Sequence, residues 1–265
     1  MKQESTAAVP GRRVPILAYH KVDRESPTRF WVNTVSFELQ MAALKELGFE
    51  SLSLEELWLC TRGYRDFPKN PVCITFDDGY ENFFSRAFPI LQKHGLTATV
   101  FLPTAFIGEG VRHCNDWDRS PVERSFRASH LVWSEVADLH RCGIEFGAHT
   151  RTHRDLEDLF MRAPDEAEEE IASSRYDLET RLSVQPGFLS YPYRASGRGV
   201  ESLARSYGFH GAVTVSSRVF DTARGNWFCM DRITVFSRGI DQPPEDARSD
   251  FIALLSRVSH EGNGI

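Results

Sequence analysis

The chain has 265 residues, enough for one large domain or two small ones, and its 41% hydrophobic and 26% charged residues are those of an ordinary globular protein. A formal net charge of −6 supplies no positive field for nucleic acid, and the Arg12-Arg13 pair is too short to make one. Five scattered cysteines (Cys60, Cys73, Cys114, Cys142 and Cys229) without a CxxC pair argue against a disulfide framework or a cysteine zinc site. No apolar run approaches the ~20 residues that span a bilayer. The opening MKQESTAAVPGRRVP carries no apolar secretory region, so a cytoplasmic location is expected.

In chain order, residues 1–13 read as a flexible tail and Pro15–Tyr19 as a first buried strand. Ser36–Leu47 repeats Phe37, Met41 and Leu44 at helical spacing and stops at Gly48. A strand over Phe49–Leu52 leads to Ser53 and Glu56, a capping box for a short helix through Leu59. Val72–Phe76 is the next strand, followed by a helix over Asn82–His94 that ends at Gly95 and a strand over Thr97–Leu102. Gly108–Ser129 is polar, long and aperiodic, the mark of a functional or disordered loop. Then come a helix (Ser134–Cys142), a strand (Ile144–Ala148) and a helix over Asp165–Leu182 with Pro164 and acidic residues at its start. The last elements are a strand (Phe188–Tyr191), a helix (Val200–Tyr207) and strands over Ala212–Val215 and Arg232–Phe236. This alternation predicts parallel strands joined by crossover helices. A (β/α) barrel of about seven or eight parallel strands is the first arrangement and an open doubly wound sheet the second. Residues 14–240 form the expected barrel, and 241–265 a C-terminal linker and helix.

In parallel α/β folds the active site lies at the carboxyl ends of the strands. His20 follows the first strand, Asp77-Asp78-Gly79 the strand ending at Phe76, His149 and His153 the strand ending at Ala148, and Tyr193 and Arg194 the strand over Phe188–Tyr191. Taken singly, an Asp-Asp-Gly is usually a turn, and a His-x-x-x-His pair is often two surface histidines. Their convergence on one rim points to metal ligands and acid–base groups. Two adjacent carboxylates repel, so a cation or a proton must stabilise them. If Asp78 binds the ion, Asp77 stays unligated as a base, and two imidazoles plus one carboxylate leave coordination positions open. Zinc is the expected ion, although this donor set also suits cobalt, nickel or iron(II).

Three segments resemble motifs of the polysaccharide deacetylase (NodB-homology) family, carbohydrate esterase family 4. They are TFDDGY (Thr75–Tyr80), HTRTH (His149–His153) and, more weakly, SYPYR (Ser190–Arg194). Ile16–Val22 (ILAYHKV) further resembles the N-terminal strand of a subgroup acting on exopolysaccharide β-1,6-linked N-acetylglucosamine. The resemblance covers about Pro15 to Val235 and implies a distorted (β/α) barrel. It implies Asp77 as general base, Asp78, His149 and His153 as metal ligands, the Tyr193 backbone N–H as oxyanion donor and His20 as general acid. The arginine that usually leads the third motif and orients the base is replaced by Ser190. Arg232 is the preferred substitute and Arg194 the other. A late Leu-x-His motif is not evident, which leaves His20 to supply the acid.

The implied reaction is removal of acetyl groups from an N-acetylated carbohydrate. Trp117, Trp31 and Tyr193 are candidate platforms for a sugar ring, against core packing or loop anchoring as the bland alternative. Two other readings are a hydrolase of non-sugar C–N bonds such as a cyclic imide or ureide, and a metal- or carbohydrate-binding module without catalysis.

Overall fold

The computed structural model describes residues 11–24, 30–114, 117, 128–194, 196–236 and 242–260. Residues 1–10 of the expected tail, and residues 115–116 and 118–127 of the expected loop, lie outside the described residues.

The strands are β1 (Arg13–Val14), β2 (Ile16–Tyr19), β3 (Lys21–Asp23), β4 (Trp31–Asn33), β5 (Glu50–Leu52), β6 (Pro71–Phe76), β7 (Thr99–Leu102), β8 (Glu145–Ala148), β9 (Phe188–Ser190), β10 (Gly211–Val213), β11 (Phe220–Asp221) and β12 (Ile233–Thr234). The helices are α1 (Thr34–Glu46), α2 (Leu54–Thr61), α3 (Phe88–Lys93), α4 (Trp133–Arg141), α5 (Leu156–Arg162), α6 (Pro164–Leu182), α7 (Arg198–Ser206) and α8 (Pro244–His260). Ser53 and Glu56 form the expected capping box on α2. The helix expected over Asn82–His94 is divided: a π-helical turn, Phe83–Ala87, precedes α3. Pro89 explains the break, because it has no N–H for an α-helical bond, and Phe88 N–H reaches back to the Phe83 carbonyl instead.

The main sheet runs β10-β9-β8-β7-β6-β2-β12, all parallel, with β5 paired to the lower half of β6. Its two ends meet. Val213 bridges Met230, Thr214 N–H donates to the Met230 carbonyl at 2.9 Å, and Ser216 N–H donates to the Arg232 carbonyl at 3.1 Å. The segment Met230–Thr234 thus has β2 on one edge and the continuation of β10 on the other, which makes this a distorted (β/α) barrel. Helix α8 packs against α1 and buries Phe251 and Leu255.

The strands are near-continuous apolar runs because both faces are covered. One set of residues, including Leu17, Ile74, Phe76, Val100, Leu102 and Leu189, packs against the helices. The alternating set, Ile16, Cys73, Phe101, Phe188, Val213 and Met230, fills the lower interior. Two residues further along the same face, β6 carries Thr75, β9 carries Ser190, and Met230 is followed by Arg232. The barrel interior therefore changes from apolar to polar towards the carboxyl ends of its strands, and the site is built on that step.

Gly147 of β8 lies where a Cβ would sit 2.6 Å from the Phe101 ring and 2.7 Å from the Phe188 carbonyl oxygen. One of these is backbone and cannot swing away. Gly147→Ala is expected to destabilise the fold by about 1–3 kcal/mol, the usual cost of overpacking. Chemical denaturation measures it, and an unchanged midpoint would show that the interior has slack at this level.

Candidate active site

Asp77 and Asp78 follow β6 directly and point to different partners. Asp78 turns into the left-handed region at φ 70°, and its Oδ1 lies 3.3 Å from His149 Nε2 and 3.2 Å from His153 Nε2. His149 follows β8, and His153 follows it after a turn in which Thr150 and His153 both have φ 60°. All three side chains are buried, and their ligand atoms lie within 4.8 Å of one another. Residues in such backbone conformations cost of order 1–3 kcal/mol each and persist where their surroundings over-determine them.

Those surroundings include two residues that motif reading alone does not single out. The ring Nδ1 of His130, wholly buried, lies 2.9 Å from the Asp78 carbonyl oxygen. Glu170 of α6 accepts hydrogen bonds from both the backbone N–H (2.7 Å) and the hydroxyl of Thr152, so it fixes the turn between the two histidines. Neither residue sits at a strand end. The signal for Glu170 would have been a carboxylate on the inward face of a helix, and for His130 a histidine that opens an apolar run (Leu131-Val132-Trp133) after a polar loop.

The buried triad fits a divalent cation. His149 Nδ1 lies 2.8 Å from the Ser190 carbonyl oxygen, which can only accept, so Nδ1 carries the proton. In the neutral ring the Nε2 lone pair then faces a carboxylate oxygen, a repulsive contact that a cation relieves. Burial lowers the pKa of His149, but the charges of Asp77 and Asp78 raise it by more and hold it above the ordinary value. For His153, burial wins over Asp78 and the pKa falls. Burial raises Asp78, yet the hydrogen bonds from His149 and His153 hold it well below the usual carboxylate range, in the ionised form a ligand needs.

Asp77 belongs to a second network. Arg232, just before β12 and wholly buried, donates Nη1–H to Asp77 Oδ1 at 2.8 Å and Nη2–H to Oδ2 at 2.7 Å. Its remaining N–H groups reach Thr75 Oγ1 at 3.0 Å, Ser190 Oγ at 2.9 Å and the Thr214 carbonyl at 3.2 Å. Every donor of the guanidinium is used. Burial pushes the Asp77 carboxyl up, but the Arg232 charge, with His149 and the Arg232 hydrogen bonds, brings it down to about 2. Arg194, the alternative arginine, is exposed with φ 68°, and both oxygens of Asp77 are taken by Arg232 instead.

The remaining sequence candidates line the rim. His20 is half-buried beside Phe30, at 5.0 Å between ring centroids. Burial lowers its pKa, against the charges of Asp78 and Asp77. Tyr193 has φ 56°, and its hydroxyl lies 3.2 Å from His153 Nδ1. Trp117 stacks on the His153 ring at 4.0 Å and 24° and meets Phe106 and His130 by its edges. Trp31 is buried with its ring facing the Lys21 ammonium at 5.0 Å, so it offers no open face to a sugar.

A family model described as polysaccharide deacetylase matches residues 64–212. The chain belongs to this family. Among relatives of this deacetylase-family chain, the YxkH protein of Bacillus subtilis is 26% identical over 223 residues, covering 84% of this chain and 71% of that one. The poly-β-1,6-N-acetyl-D-glucosamine N-deacetylase of Escherichia coli is 26% identical over 225 residues, 71% of this chain but 32% of that enzyme, so the chain spans about a third of its length. In fold the chain is similar to the Streptococcus pyogenes deacetylase PplD (TM-score 0.73, 24% identity, 89% of this chain and 97% of that one). It is also similar to IcaB from Ammonifex degensii (TM-score 0.70, 19% identity, 91% and 97%).

Arg232→Leu would leave Asp77 buried without a counter-charge, and a loss of about 3–5 kcal/mol in unfolding free energy is expected. The pH dependence follows from the depressed Asp77 pKa. Its stabilising share is present above the ordinary carboxylate pKa of about 4 and is lost as pH falls towards 2. The variant's stability should therefore fall less steeply over that window. An acid limb identical to the parent protein's would show that the pair does not set it.

Proposed function

We propose that this member of the family is a metal-dependent N-deacetylase of an N-acetylated sugar or polysaccharide. The observation that carries the reading is the division of labour between adjacent carboxylates. Asp78 faces two imidazoles, while Asp77 is clamped in its ionised form by Arg232 and is free of the ligand set. A pure binding site has no use for the second arrangement, whereas a hydrolytic one does.

Asp78, His149 and His153 would hold the ion, with zinc the first choice. When bound it supplies a Lewis acid that acidifies water and polarises an acetamide carbonyl. Asp77 takes a proton from the attacking water. Arg232 keeps the carboxylate in one plane and one orientation through the reaction. The Tyr193 backbone N–H donates to the oxyanion that develops on the carbonyl oxygen. His20, across the rim, gives its proton to the departing amine so that the C–N bond breaks and acetate leaves. Trp117 and Tyr193, both packed on His153, bound the place where the sugar would lie.

The name of the Escherichia coli relative makes β-1,6-linked N-acetylglucosamine the first substrate to try. Acetate release from such oligomers should require metal, cease with chelator and return with added zinc or cobalt. Asp77→Asn is expected to retain bound metal and lose about 10²–10⁴-fold in kcat, the range for removing an acid–base group. Near-normal turnover in that variant removes Asp77 from the role. His153→Ala should lose its metal on dialysis, as measured by elemental analysis; full retention would break the ligand assignment.

A further inference from the structure

Ser190, the last residue of β9, stands between the two halves of the site and touches both. Its carbonyl oxygen receives Nδ1–H of His149 at 2.8 Å, and its hydroxyl oxygen receives Nη2–H of Arg232 at 2.9 Å. It is wholly buried, so no solvent competes for either bond. On the opposite side of the guanidinium, Thr75 accepts from Nη1 at 3.0 Å and donates its own hydroxyl proton to the Leu17 carbonyl at 2.8 Å. The outer N–H groups of Arg232 are thus gripped by one hydroxyl on each side, and its inner N–H groups hold the Asp77 carboxylate. Removal of either hydroxyl lets the planar fork pivot about the other and leaves a buried N–H without an acceptor.

We propose that Ser190 is a positioning residue that sets the Asp77 carboxylate relative to the histidine ligands, its carbonyl fixing His149 and its hydroxyl fixing Arg232. The inference rests on the reading of Asp77 as the base. It separates two jobs within one residue, because an alanine at this position keeps the carbonyl and loses the hydroxyl. The histidine half should then be untouched while the base half loosens.

The test uses the full chain loaded with cobalt and acetate release from a β-1,6-linked N-acetylglucosamine pentamer. Ser190→Ala should lower kcat by about 10- to 100-fold, the scale of a displaced catalytic group. KM should stay within about twofold, and metal per chain should be unchanged by elemental analysis. Ser190→Thr, which restores a hydroxyl, should recover most of the rate. In an Arg232→Lys background, where the planar fork is gone, Ser190→Ala should cost nothing further. Should the alanine variant fail to fold, Ser190→Cys against Ser190→Thr carries the comparison, since a thiol is the weaker acceptor and should turn over more slowly. Unchanged kcat in Ser190→Ala, equal kcat in the cysteine and threonine variants, or multiplying effects of Ser190→Ala and Arg232→Lys would each overturn the proposal. A parent protein that releases no acetate, or an active Asp77→Asn variant, would instead sink the underlying assignment of the base. Full dependence on Asp77 together with indifference at Ser190 sinks this inference alone.

Discussion

Asp77 is an ionised carboxylate in the interior of a barrel, next in sequence to another, and Arg232 is what makes that arrangement tenable. An isolated buried charge costs many kcal/mol, and a paired one is tolerated only when its geometry is good and its remaining hydrogen-bond capacity is met. Here the pair is bidentate, and every other guanidinium N–H has an acceptor on β6, β9 or the backbone beyond β10. Arg232 reaches Asp77 only because the segment before β12 is built into both ends of the sheet. Closure of the barrel and stabilisation of the carboxylate are thus one event. The second carboxylate is turned away by a single left-handed residue, so that Asp78 meets imidazoles while its neighbour meets the arginine.

The same neighbourhood collects most of the backbone strain in the described residues. Asp78, Thr150, His153, Tyr193 and Arg194 all have positive φ without being glycine, and only Ser183 and Ser217 do so elsewhere among those residues. The bonds from His130 and Glu170 oppose that strain at the two ligand-bearing turns. Stability is given up locally where the Asp78, His149 and His153 side chains converge beside Asp77, as expected where geometry serves chemistry.

Much of this arrangement was legible in the sequence, for reasons that can be named. Buried parallel strands are continuous apolar runs, and the residue after each run marks the rim, which is how Asp77, Asp78, His149 and His20 stand out. The capping box at Ser53 is a short-range signal and reads directly. Arg232 was preferred over Arg194 only as the charge nearest a late strand, and its contacts with Thr75 and Ser190 could not be read, because hydroxyl partners leave no pattern in a sequence. The π-helical turn at Phe83–Ala87 was missed because helical spacing cannot distinguish a widened turn from a regular one. Helix α5 escaped for lack of length, and the small β3–β4 and β1–β11 pairs for lack of periodicity. His130 and Glu170 act through space on backbone atoms, a role that carries no spacing rule.

The stretch matched by the family model ends before Arg232 and begins after His20. A fragment cut to those limits would keep Asp78, His149 and His153 yet lack β2 and β12, the strands that complete the ring on one flank. It would retain the acidic residue it most needs to neutralise and lose the cation that neutralises it. Domain limits drawn by likeness alone therefore part a buried anion from its counter-charge.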